Sequence, residues 1–212
     1  MSKTRSVHQQ SQHQHPGRPL GHNQLHSFFL ECTHTSFREL GLGDQAIIEY
    51  VADVLTAFAR TDQLYHIRPS TGRRLSSVVE ILTEQAEQTQ SAQQTEQAAS
   101  TSLWRERQVR KHVGDYTLFM SGLFRAYVEK LGVIDYYLQE GRQSYAQVSE
   151  LDVKLYQTGF MLFQELSKNF EYYSGALDYM RKAHFGPSPG DSPFGQFLHQ
   201  VEGWVKTHLS DN

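Results

Sequence analysis

The chain has 212 residues, a formal net charge of −3 and one cysteine, Cys32. Near-balanced charge argues against a nucleic-acid surface, which rests on a basic face. A lone cysteine excludes an intrachain disulfide framework and points to the cytoplasm. No apolar run is long enough to span a bilayer, and Lys3 and Arg5 are followed by no signal-peptide core.

Hydrophobic residues make up 38% of the chain, and the deficit is local, in residues 1–22 and 83–102. The first is a His/Gln-rich tail that cannot bury enough surface to offset its ordering entropy. Beyond it, Leu25, Phe28, Phe29, Cys32, Phe37 and Leu40 recur as one helical stripe. Gly41 and Gly43 end that helix, and Asp44 is placed to cap the next. Ile47, Ile48, Val51, Val54, Leu55 and Phe58 then mark a second helix, with Gln45, Glu49 and Asp53 facing outward. It is expected to stop near Thr61. The cluster Pro69-Ser70-Thr71-Gly72 reads as a loop, and a third short helix follows through Val78, Val79 and Leu82. Residues 83–102 contain only Thr, Glu, Gln, Ala and Ser and read as a flexible polar connector.

A heptad-like seam opens the second half at Leu103: Val109, Val113, Tyr116, Met120, Leu123 and Tyr127. Leu118, Phe119 and Phe124 lie off the seam, so this helix is expected to be central and buried on most sides. Gly114 and Gly122 within it point to close approach of another backbone. Val133, Ile134, Tyr136, Tyr137 and Leu138 suggest a short helix ending at Gly141, and Tyr145, Val148 and Leu151 another. Leu155, Phe160, Phe163, Leu166 and Phe170 mark a strong helix that runs on through Leu177 and Met180. The Gly186-Pro187-Ser188-Pro189-Gly190 break precedes a last amphipathic helix through Phe194, Phe197, Leu198, Val201, Trp204, Val205 and Leu209. The expected fold is all-α. One irregular bundle of about six to eight helices covers 23–209, with the connector 83–102 looping out of it.

No phosphate-binding glycine loop, paired-cysteine metal site or nucleophile elbow occurs in the sequence. Four weaker constellations remain. The histidines His8, His13, His15, His22 and His26 are dense enough to chelate a metal without fixing its geometry. Glu31 and His34 form a Glu-x-x-His pair on one helix face, the spacing with which bundles present metal ligands. Arg107, Arg110 and Lys111 share a face and offer an anion contact, with His112 three residues before Asp115. Asp115 enters the most apolar helix, where a desolvated carboxylate needs a cation or a donor. Arg110, Lys111 or a tyrosine hydroxyl from another helix would meet that need. Finally, the chain has 12 Phe and 11 Tyr, and Tyr136, Tyr137, Tyr145, Tyr156, Tyr172, Tyr173 and Tyr179 crowd into one stretch; such residues fill a helical core first, and also suit self-association or, after that, an aromatic-lined ligand cavity.

The reading is therefore a soluble, non-enzymatic helical interaction or regulatory module, binding a protein partner or itself through an aromatic-rich helical face, with no cofactor. The alternative is a ligand- or metal-binding bundle, or an enzyme, with its site near Glu31, His34, His112 and Asp115. Membrane-surface attachment through Trp204 and Lys206 is a third, weaker reading.

Overall fold

The computed structural model describes residues 22–59 and 96–185. Of the described residues 87% are helical, in seven helices with no strand, so the protein is an all-α bundle. The expected tail, the 69–72 loop, the third short helix, most of the connector and the last amphipathic helix lie outside the described residues.

Helix α1 (His22–Glu39) lays its stripe against α2 (Gln45–Ala59). Leu25, Phe28, Phe29, Cys32 and Phe37 are all buried, whereas Leu40, placed on the same stripe by the sequence, is 47% exposed. The helix stops one residue earlier, and Gly41 takes φ 77°, which a residue with a β-carbon adopts only at a cost. The N–H groups of Leu42 and Gly41 then donate to the carbonyls of Phe37 and Arg38 at 2.8 and 3.0 Å, closing a Schellman turn. That turn carries Leu40 out of the core. Asp44 caps α2 as expected, its Oδ1 accepting from the N–H groups of Ala46 at 2.9 Å and Ile47 at 3.3 Å.

Helix α3 (Glu96–Leu123) occupies the middle, packed on α2, α5 and α7. It begins seven residues before Leu103, so the end of the expected connector is helix. Every residue from Val113 to Phe124 is buried, which is the all-round burial that the off-seam Leu118 and Phe119 foretold. The chain bends at Phe124, and Tyr127 falls on the separate short helix α4 (Arg125–Lys130).

Helix α5 (Ile134–Lys154) corrects the expectation of two helices divided at Gly141. The helix passes straight through, because this glycine makes room instead of a break. A β-carbon there would run into the Phe170 ring and come within 2.6 Å of the Thr117 hydroxyl. The helix expected to begin at Leu155 is also divided, into α6 (Phe160–Lys168) and α7 (Phe170–His184).

The two glycines of α3 make room for side chains of neighbouring helices, the Tyr145 ring at Gly114 and Leu177 at Gly122. A β-carbon at Gly122 would sit 2.5 Å from Cβ of Leu177 on α7, an atom that no rotamer change can move away. Gly122→Ala should therefore lose about 2 kcal/mol of unfolding free energy even after its gain in helix propensity. Gly175 on α7 has open space within 4 Å of where a β-carbon would stand. Gly175→Ala should instead gain up to about 1 kcal/mol. Urea unfolding followed by circular dichroism tests the pair, and equal midpoints for the two variants would refute the close-approach assignment.

Candidate functional site

The N-terminal half of α3 gathers the polar residues of the interior. Asp115 is only 7% exposed. Its Oδ1 accepts hydrogen bonds from the Tyr50 hydroxyl at 2.5 Å and the Tyr145 hydroxyl at 2.9 Å, and its Oδ2 from Lys111 Nζ at 2.7 Å. The neighbouring glycine makes this possible. A β-carbon at Gly114 would meet the Tyr145 ring at 2.6 Å, so the bare backbone lets that ring come close to α3 and set its hydroxyl on the carboxylate. Burial, reinforced by the charge of Asp115, holds both tyrosines well above the usual phenol range, so they remain donors. Lys111 Nζ also stands 4.9 Å over the Tyr50 ring.

One turn earlier, Arg107 reaches α5. Its Nε pairs with Oδ1 of Asp152, and its second terminal nitrogen donates to Oδ2 at 3.2 Å. Asp152 is completely buried. The guanidinium carbon lies 5.7 Å from the Trp104 ring centre and 5.6 Å from that of Phe163. Phe163 in turn meets Tyr50 edge-on at 5.4 Å, so the two ion pairs are joined through one aromatic contact.

These contacts place the sequence candidates. Asp115 finds its donors in Lys111 and in tyrosines of two other helices. His112 is not among them: its ring lies 5.7 Å from that of Phe58, and burial lowers its pKa below the usual imidazole value. Arg107 and Lys111, offered to an anion by the sequence, are committed to carboxylates of this chain. Arg110 is buried on the same helix. Glu31 is exposed on α1 and His34 half-buried. Among the described residues no group of three or more His, Cys, Asp or Glu side chains could hold a metal ion, so Glu31 and His34 gain no third ligand there. Cys32 is buried and its thiol is pushed up to about 12 by burial, so it stays protonated and unreactive. Sequence reasoning missed Tyr50, Asp152 and Trp104. Asp152 did carry a signal: it falls on the face of α5 that holds Tyr145 and Val148.

Chemically, this arrangement is a clamp. Each carboxylate is matched by donors from other turns or other helices, and the charges cancel within the fold.

A further concave feature among the described residues is apolar and on the outside. The α1–α2 turn and α7 enclose a groove of about 550 Å³ lined by Leu40, Leu42, Tyr172, Gly175, Ala176 and Tyr179, with Glu171 at its edge. Tyr172 is 72% exposed and Tyr179 40%. The Tyr179 hydroxyl donates to Glu39 at 2.9 Å, which adds a second acidic group beside the groove. Among the described residues no helix is long and apolar enough to cross a membrane. Comparison with known proteins yields no match: no protein family, no curated protein and no solved structure resembles the chain.

Proposed function

We propose that this protein is a non-enzymatic helical interaction module and that the groove between the α1–α2 turn and α7 receives its partner. The carrying observation is the exposure of Tyr172, Leu40 and Tyr179 around one concavity. Large apolar groups held in water at a single site cost free energy that a partner recovers. Their chemistry supports an amphipathic helix as the guest, with apolar anchors three and four residues apart and a basic residue facing Glu171 and Glu39. The single cysteine supports a cytoplasmic setting.

Selection of helical peptides from a displayed library by the full-length protein tests this reading. Gly175→Trp fills the groove from a position with open space around it and leaves the core untouched. It is expected to weaken a selected peptide at least tenfold while the circular dichroism spectrum stays unchanged. A library that yields no binder, or a peptide that binds both proteins equally, would end the proposal.

A further inference from the structure

The groove asks for a guest helix with apolar anchors three and four residues apart and a basic residue for its acidic edge, and α7 is itself such a helix. Tyr172, Gly175, Tyr179 and Lys182 follow one another in steps of three, four and three along its outer face. Tyr172, Tyr179 and Lys182 are exposed and Gly175 is half-buried, whereas Phe170, Tyr173, Leu177 and Met180 fill the core on the other side. A seam with this spacing is what a second helix packs against. Gly175 makes the middle of it a hole, since a β-carbon there would meet nothing within 4 Å. Tyr179 is the matching knob, its hydroxyl held at this face by Glu39.

Charge sets the direction of the guest. Helix α7 has Glu171 in its first turn and Arg181, Lys182 and His184 in its last. Two copies laid side by side in the same direction would set acid against acid and base against base. Laid antiparallel, each Glu171 meets the partner's Lys182. With the partner's Tyr179 level with Gly175, the partner's Lys182 comes level with Tyr172 and about 1.5 Å along the axis from Glu171. One two-fold axis near Leu177 then makes every contact twice, the self-complementarity that a closed dimer requires. Asp178, close to that axis, already has counter-ions in Lys182 at 2.5 Å and Arg181 at 3.7 Å.

We propose that the guest of the groove is α7 of a second copy of this chain, in an antiparallel two-fold pair. The inference rests on the groove being the binding surface and names its occupant. A contact built on one helix of 15 residues falls at the small end of specific interfaces, so the dimer should dissociate on dilution.

Sedimentation velocity of the full-length chain across a dilution series is expected to show a monomer–dimer equilibrium, and a monomer at every concentration overturns the proposal. Glu171→Lys and Lys182→Glu chains should each self-associate about tenfold more weakly than the unaltered chain. Their equimolar mixture should recover the lost affinity, because the two changes then face each other with opposite sign. A dimer indifferent to these changes uses another face and overturns the proposal. Direction is read by mixing Gly175→Cys chains with Tyr179→Cys chains under mild oxidation, Cys32 staying out of the exchange as a buried, protonated thiol. The mixed 175–179 link between chains should dominate, and links of like with like refute the antiparallel register. If the chain is monomeric yet selected peptides bind and Gly175→Trp releases them, self-pairing falls and the groove reading stands. If the pair forms as described and no peptide ever binds, self-pairing stands and the groove's reading as a receptor for a foreign helix falls.

Discussion

Arg107→Ala is expected to lower the free energy of unfolding by about 3–5 kcal/mol, the range for stranding one half of a buried ion pair. The reason is the setting of Asp152. Its side chain is 0% exposed, against 16% for Arg107. A β-carbon at Gly159 would come within 2.9 Å of Asp152 Oδ2, so the acid is closed in from that side as well. Without the guanidinium its charge has neither solvent nor a counter-ion. Arg107→Lys should lose less, because the cation survives while the two-pronged contact and the guanidinium's approach to the Trp104 and Phe163 rings do not. The decisive comparison is Arg107→Met combined with Asp152→Leu. Replacing both charges with apolar groups of similar size removes the desolvation cost along with the attraction, so most of the loss should return. Urea unfolding followed by far-ultraviolet circular dichroism gives all three midpoints. A double variant no more stable than Arg107→Ala would show that Arg107 acts through packing and not through its charge.

Arg107 also marks the limit of what the sequence discloses. Its four-residue neighbour relations are local, and local relations were legible. The Lys111–Asp115 pair, the Asp44 cap and the Gly41 stop all follow from spacing along one helix. So did the burial of α3, where apolar residues off the seam left no side for water. Contacts between distant segments were legible only as needs. Asp115 had to find donors, but nothing in the sequence singled out Tyr50, which lies 65 residues away, or Tyr145, 30 away. Gly141 shows the same limit in another form. A glycine that ends a helix and a glycine that admits a neighbouring ring look identical in sequence, and Phe170, far along the chain, decides between them. The tyrosines divide likewise: Tyr137, Tyr145 and Tyr173 fill the core, whereas Tyr156, Tyr172 and Tyr179 face water, a partition set by which helix faces meet. Leu40 was assigned to the core because periodicity was carried past the end of its helix. That misplacement matters, since Leu40 lines the groove.

Asp115→Ala should destabilise the protein by about 4 kcal/mol, because it strands two hydroxyls at a cost of about 1–3 kcal/mol each and releases Lys111. Removing one donor at a time is milder. Tyr50→Phe or Tyr145→Phe should cost about 1 kcal/mol, since the carboxylate keeps its other partners. The order of these losses, acid well above either phenol, is what identifies Asp115 as the shared acceptor of three helices. Alkaline pH tests the same geometry from the other side. Both phenols have pKa values raised above the ordinary 10.0 by burial and by the facing carboxylate. Their contribution is therefore complete below pH 10 and declines as pH rises beyond it, because the unfolded chain releases those protons first. Each Tyr→Phe variant should lose stability less steeply above that pH than the unaltered protein. Parallel slopes would mean that the two hydroxyls are not held by Asp115. The groove on α7 shares none of these side chains, so variants that stay folded should keep their peptide affinity. A fall in affinity that tracks Asp115→Ala would place the binding surface at the clamp itself and move the functional site to α3.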